Sequence, residues 1–328
     1  MMRAGWFEKT GPAQDVIVVG EMNRPEPAAG EVLVRLHASG INPSDYKRRA
    51  NIKMKPEFPR VVPHSDGAGV VAALGAGVTA YKVGDRVWVH SAQWARPMGT
   101  AAEYVSLPQA QVRRLPDNVS FEEGACLGIP AMTAYHAVHI AGSLKGKTVY
   151  VPGATGRVGA YAVQFAKWRG ARVIASTGGG EASAKIIRDL GADLVLDRKS
   201  ADLAQQILQA TDQRGVDHIV EVDLPGSMGF DESILAERGA IVSFGAASAP
   251  TVAVSQTGRR ARNMSLHFIF VYMLDELTFD ATCNGVIAAA QEGALKHRIG
   301  GVFPLEKLAD AHHHAETTSG TGHIVVTM

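Results

Sequence analysis

The chain has 328 residues, 46% of them hydrophobic and 20% charged. That is the texture of a soluble globular protein, with chain enough for two domains at about 150 residues each. Lys and Arg number 33 and Asp and Glu 32, a formal net charge of +1, which excludes the overall basic footprint of a nucleic-acid binder or of a protein held to an anionic membrane. Cys126 and Cys283, the two cysteines, exclude a disulfide framework and a Cys-rich metal site. The opening MMRAGWFEKTGPAQD lacks the apolar stretch of a secretory signal. No run approaches the ~18 apolar residues of a spanning helix, and Leu266–Leu274 (LHFIFVYML) is too short to cross a bilayer. The reduced cytoplasm is the expected compartment.

From Met1 to about Asn118, short alternating runs are broken by Gly and Pro. They include Glu31–Leu36 (EVLVRL), Gly69–Leu74 (GVVAAL) and Arg86–His90 (RVWVH), a pattern that predicts a compact antiparallel barrel or sandwich. From about Glu122 the period changes. A helix over Pro130–Ala141 precedes strands at Thr148–Val151, Arg172–Ser176, Leu194–Leu196, His218–Val222 and Ala240–Phe244. Helices alternate with them at Val158–Arg169, from Glu181 to about Leu190, at Ala201–Gln213 and at Ser227–Glu237. Such alternation predicts βαβ units around a parallel, doubly wound sheet. A helix over Asp275–Glu292, a short strand ending at Phe303, a helix over Pro304–Thr317 and a strand at His323–Met328 follow; this tail is expected to return to the first domain. The fold class is α/β. The expected domains are 1–121 with 273–328, and 122–272.

The most informative segment is Thr148–Gly159, TVYVPGATGRVG. A buried strand runs into a glycine-rich turn and then a helix, whose unpaired amides and dipole suit a pyrophosphate. Gly153 suits the tight turn, Gly156 close approach and Gly159 packing of helix on strand. In this context the pattern points to a dinucleotide, with Gly153, Ala154, Thr155, Gly156, Arg157, Val158 and Gly159 forming the turn. An NAD site expects an acid about 20 residues on, at the end of the second strand. Here that strand ends Ser176-Thr177-Gly178, and the first acid is Glu181. Small hydroxyl residues leave room for a 2′-phosphate, so NADPH is favoured over NADH. Lys185 and Arg188 are candidate cationic partners; solvated helix charges are the competing reading.

Further motifs accompany the turn: GINPSD at Gly40–Asp45, VPHSDGAGVV at Val62–Val71, VGDRV at Val83–Val87, AEYV at Ala102–Val105, LPDNVS at Leu115–Ser120 and Thr133-Ala134-Tyr135. In this order the chain resembles the medium-chain dehydrogenase/reductase superfamily, and more narrowly the zinc-free NADPH:quinone reductase, zeta-crystallin-like, family. The resemblance implies a GroES-like catalytic domain, a Rossmann domain, a cofactor cleft between them and a homodimer or homotetramer formed through the sheet edge, for which Leu266–Leu274 is the candidate. It places Asn42 and Thr133 beside the nicotinamide and its ribose, and Tyr46 where a phenol meets the acceptor oxygen; a core aromatic is the other reading of Tyr46. Asp45 reads as an orienting or structural carboxylate. At the strand end, Phe244, Gly245 and Ala246 should face the carboxamide with their backbone, joined by Phe268, Ile269 and Phe270. Ser91–Met98 is either a wall of the substrate cleft or an exposed loop tip.

Where zinc-dependent relatives carry Cys, a His-Glu pair and a second Cys, this chain has Asn42, Ser65-Asp66 and about Leu127. The expectation is no zinc; a displaced set of His64, Asp66 and Cys126 is the alternative. His312-His313-His314 reads as an exposed helix face, since successive residues on a helix point ~100° apart. Arg157 replaces the Gly of the family's pattern. The positions matching the family's 2′-phosphate side chains are Ser183, Asp197 and the tail at Glu316–Thr318, which weakens NADPH; Arg198 and Lys199 are candidates to compensate. Without a metal to polarise a carbonyl, the expected reaction is hydride transfer from NADPH to a quinone, with reduction of the C=C bond of enones or enals as the alternative. From another class comes a dinucleotide-binding, crystallin-like structural or RNA-binding protein without turnover.

Overall fold

The computed structural model describes residues 1–51, 56–245, 248–254, 256–318 and 322–328, apart from the side chains of 258 and 259. Ala246 therefore lies outside the described residues. The strands are β1 (Met2–Trp6), β2 (Val18–Met22), β3 (Glu31–Ile41), β4 (Asp66–Leu74), β5 (Arg86–Val89), β6 (Tyr104–Pro108), β7 (Val112–Arg114), β8 (Thr148–Pro152), β9 (Arg172–Thr177), β10 (Leu194–Asp197), β11 (Val216–Glu221), β12 (Leu235–Ser243), β13 (Ser265–Phe268), β14 (Ile299–Pro304) and β15 (His323–Thr327).

One compact unit comprises Met1–Pro130, Val286–Gly293 and His297–Met328. Its main sheet has the order β14-β15-β3-β4-β5-β7, with β6 also on β3. Pairing is antiparallel throughout that sheet except between β14 and β15, which run parallel. The long strand β3 has partners along its whole length, which explains why Val32, Leu33, Val34, Leu36, Ala38 and Ile41 are all buried rather than alternating. Val34, Val71, Val87, Val89, Val105, Leu107 and Val112 fill one core; Met2, Ile41, Leu305, Leu308, Ala311, Ile324 and Val326 fill another. This is the GroES-like half of the α/β fold.

The other unit comprises Ala131–Gly285 and Ala294–Lys296. Six parallel strands lie in the order β10-β9-β8-β11-β12-β13. The chain reverses direction across the sheet at β8 and β11, where ligands enter open α/β sheets beyond the strands' carboxyl ends. The buried run Thr148–Val151 lies near the middle of the sheet, and helices Arg157–Trp168, Gly180–Asp189, Leu203–Ala210 and Leu224–Ile234 provide the crossovers. The helix expected over Ser227–Glu237 runs instead over Leu224–Ile234, because Leu235 is already paired with Val216 across the β11–β12 ladder. The Leu266–Leu274 run forms the last strand of the sheet only over Ser265–Phe268, and Val271–Met273 is a 3₁₀ turn. Among the described residues, no helix is long and apolar enough to cross a membrane.

Candidate functional site

The glycine turn has the shape that its sequence requires. Gly153 has φ +61°, a conformation L side chains seldom adopt, and its carbonyl accepts the Gly156 N–H at 2.9 Å. A Cβ on Gly159 would lie 2.7 Å from Gly153 O and 3.0 Å from Ala154 Cα; only glycine lets the helix approach so closely. Gly156 is the N-cap of helix Arg157–Trp168, which has no side-chain cap and no acidic residue in its first turn. Ala154 is fully buried, whereas Thr155, Arg157 and Val158 are half-buried. A bare, positive helix end beyond a strand fits the pyrophosphate of a dinucleotide.

At the end of β9 the expected residues separate. Ser176 is fully buried, and its hydroxyl is 2.7 Å from the Tyr150 hydroxyl, inside the core. Thr177 Oγ1 accepts the Gly179 N–H at 3.1 Å. Lys185 Nζ is paired with Asp189 at 2.7 Å, and Arg188 with Glu181. Both cations thus read as solvated helix charges. The cations beside the strand end are Arg198 and Lys199, which follow β10: the Arg198 N–H donates to Thr177 O at 3.0 Å.

Thr133 lies buried in helix Met132–His139. Phe244 and Gly245 follow β12, where the Phe244 N–H donates to Glu221 O at 3.1 Å and Gly245 O accepts from the Ser243 hydroxyl at 3.1 Å. Phe268 and Phe270 are 67% and 53% exposed at the end of β13; Phe268 pairs with Ser243 of β12, and the Phe270 ring lies 5.2 Å from that of Tyr272.

The unit also carries a feature that motif reading missed. A cavity of about 260 Å³ is lined by Gly153, Tyr150, Arg198, Asp223 and the carboxyl groups of Glu221 and Asp231, among others. Glu221 Oε1 accepts the Asp223 N–H at 2.6 Å, and Asp231 Oδ2 accepts from Ser227 Oγ at 3.0 Å. The remaining oxygens, Glu221 Oε2 and Asp231 Oδ1, receive no donor from any other residue among those described. Burial, then the negative charge of Glu221, pushes Asp231 up to about 8, and burial raises Glu221. Burial thus favours the neutral form of both acids. The signal for Glu221 was in plain view, an acid in the apolar strand HIVEV; nothing local marks Asp231.

In the GroES-like unit, Asn42 precedes helix Pro43–Ala50. Its backbone N–H is accepted by Asp45 Oδ2 at 2.6 Å, which gives Asp45 the structural role expected of it. Its Nδ2 donates to Asp66 Oδ2 at 2.7 Å, and the same oxygen accepts the Ile129 N–H at 2.9 Å. Asp66 is 1% exposed; burial raises its pKa, the hydrogen bonds from Asn42 and Ile129 lower it, and nearby Asp45 raises it. The amide of Asn42 is thereby held in one orientation. The Tyr46 ring packs against the Ile41–Leu308 core.

The histidines need a correction. His312 is not on an exposed face: it is fully buried, with its Nε2 2.9 Å from His64 Nε2. Helix Leu308–Thr317 buries Leu308, Ala311, His312 and Ala315, the three–four spacing of one face, and that spacing was readable in the sequence. His313 is exposed and His314 half-buried. His64 Nδ1 lies 2.7 Å from Ser39 Oγ, so both its nitrogens are taken, and Cys126 Sγ donates to Glu122 O at 3.3 Å. His64, Asp66 and Cys126 therefore do not fit a zinc ion, and no group of three or more metal-ligating side chains gathers among the described residues. Burial holds His64 down at about 3; burial, then the charges of His64 and Arg49, hold His312 well below its usual value.

A GroES-like unit together with a parallel Rossmann sheet entered through a glycine turn defines an oxidoreductase of the medium-chain dehydrogenase/reductase class. The family described as "Alcohol dehydrogenase GroES-like domain" matches residues 28–117, and that described as "Zinc-binding dehydrogenase" matches residues 158–282. A quinone oxidoreductase of Pongo abelii is 32% identical over 331 aligned positions, covering 100% of this chain and 98% of its own. The solved structure of a mycobacterial quinone oxidoreductase matches with a TM-score of 0.88 at 30% identity, and a mycobacterial protein complexed with NADPH with 0.83 at 29%; each covers 100% of both chains. The chain belongs to the quinone oxidoreductase family of that superfamily.

Proposed function

We propose that the protein is a zinc-independent reductase that uses NADPH to reduce quinones. The observation that carries this reading is the acid-free end of β9, Ser176-Thr177-Gly178, beside a glycine turn shaped for a pyrophosphate, in a chain alike over its whole length to quinone oxidoreductases. A carboxylate at the strand end would repel a 2′-phosphate; here none stands there.

The bound dinucleotide would supply a hydride from its reduced nicotinamide. Gly153, Thr155, Gly156, Arg157 and Val158 would line the pyrophosphate, while Ala154 and Gly159 keep helix and strand close. Thr177 would meet the adenosine ribose. Ser176 acts from beneath, by fixing the strand through Tyr150. The backbones at Phe244, Gly245, Phe268 and Phe270 suit a carboxamide. Asn42 and Thr133 bring uncharged hydrogen-bonding groups to the nicotinamide and its ribose, and Asp66 keeps the Asn42 amide from turning. Tyr46, whose ring packs against the Ile41–Leu308 core, would donate a hydrogen bond to the acceptor oxygen as negative charge builds there. A quinone suits a site without a Lewis acid, because its conjugated ring spreads that charge. The homodimer expected of the resemblance would bury Phe268 and Phe270 at the edge of the sheet.

The test follows oxidation of NADPH and of NADH with a benzoquinone, a naphthoquinone and a simple enone, with and without chelator. Chelator-insensitive oxidation of NADPH by quinones is expected. Turnover with the enone alone would replace the acceptor, and loss of turnover on chelation would overturn the zinc-independent reading.

A further inference from the structure

We propose that Arg198 and Lys199, at the end of β10, form the subsite for the 2′-phosphate of NADPH, in place of any side chain on β9 or on the helix after it. This rests on the NADPH reading above and identifies which residues determine it.

Register brings the two cations there. Asp197 pairs with Thr177 across the parallel β9–β10 ladder, so the residues after each strand emerge side by side. A Cβ built on Gly178 would lie 3.3 Å from Lys199 Cε and 3.8 and 3.9 Å from Arg198 Nη2 and Nε. Both cationic side chains therefore converge over the backbone just beyond β9, where a dinucleotide fold meets the adenosine ribose. Gly178, lacking a side chain, leaves that approach open.

Their charge is available. Lys167, Lys185 and Arg188, the neighbouring cations on the flanking helices, are each paired with a carboxylate. Arg198 and Lys199 are exposed, and no hydrogen bond or ion pair engages either charged group among the described residues. Two nearby acids have partners of their own. Asp197 Oδ1 accepts the Lys199 backbone N–H at 2.9 Å, and Glu181 is held by Arg188.

Arg198 and the pyrophosphate turn, through Gly153, also border one cavity. A ligand with one phosphate at the turn and a second near Arg198 has the layout of an adenosine 2′,5′-bisphosphate. An arginine fork and a lysine point charge together suit a dianionic phosphate.

The experiment is calorimetric binding of adenosine 2′,5′-bisphosphate and of 5′-AMP to the wild-type protein and to the double variant Arg198→Ala/Lys199→Ala, with NADPH and NADH kinetics alongside. The double variant should lose at least about tenfold in bisphosphate affinity and in kcat/KM for NADPH, while 5′-AMP affinity and the NADH values stay within about twofold. Its thermal midpoint without nucleotide should match wild type, because both side chains are exposed. A wild-type preference for the bisphosphate that survives in the double variant overturns this assignment and leaves the NADPH reading intact. A wild type that binds the bisphosphate no more tightly than 5′-AMP overturns both.

Discussion

The Gly153–Gly159 turn and the Asn42–Asp66 cluster are built by opposite means. The turn works through backbone shape: a positive φ at Gly153, a helix that starts without a cap, and a Gly159 approach with no room for a Cβ. Asn42, Asp66 and the Ser39–His64–His312 chain work through buried side chains that satisfy one another. A backbone site tolerates side-chain truncation and fails when atoms are added. A buried polar site fails when one partner is removed, because the donor left behind has no water to turn to.

The sharpest break of that contrast is Asp66→Ala. It leaves Asn42 Nδ2 and the Ile129 N–H without their acceptor and should cost about 3 kcal/mol of unfolding free energy in urea titrations. Equal stability of variant and wild type would mean that the cluster is not mutually dependent. On the other side, Gly159→Ala adds one methyl against Gly153 O and Ala154 Cα. An effect of about 2 kcal/mol is expected, with at least about tenfold weaker dinucleotide binding by calorimetry.

Acid sharpens the comparison. His64 is held at about 3, below its unfolded value of about 6.5, so the folded state binds fewer protons than the unfolded one between those values. Its contribution to stability is whole above pH 6.5 and is lost as pH falls toward 3. His64→Asn removes that dependence while keeping a residue tolerant of the φ of +79° found there. Between pH 6.5 and 4, the unfolding free energy of the variant should fall less steeply than that of wild type, by about 1.4 kcal/mol per pH unit; parallel curves would refute the assignment. Asp231 and Glu221 act in the other sense, since their raised values stabilise the fold as pH falls, and the difference between variant and wild type isolates the His64–His312 pair. The smallest effect belongs to Arg157→Ala. If the turn binds through its backbone, dinucleotide affinity changes by less than about threefold and stability by less than about 0.5 kcal/mol; a larger loss of affinity would make it a side-chain site.

Much of the fold was legible locally. Strand–helix alternation from Thr148 onward predicted the parallel sheet because buried strands and amphipathic helices carry their periods in consecutive residues. Gly153 and Gly159 were legible because each answers a steric demand made by atoms within six positions of it. The helix end at Ile234 was not, since the pairing that starts β12 at Leu235 joins residues 19 positions apart, Val216 and Leu235. Of the two readings open for Lys185 and Arg188, nearness in sequence could not choose; each has a carboxylate on its own helix, and the ladder brings Arg198 to Thr177.

The sequence by itself determined the two kinds of unit, the glycine turn and the missing acid at the end of β9, all of which rest on short-range chemistry. Tertiary structure alone decided that His312 meets His64, that Asp66 grips Asn42 and that Glu221 and Asp231 line one cavity. The first two contacts join segments separated by 248 and 24 positions, and Glu221 meets Asp231 where a strand passes into the next helix. Such meetings depend on how strands register and helices dock, and no local propensity encodes them.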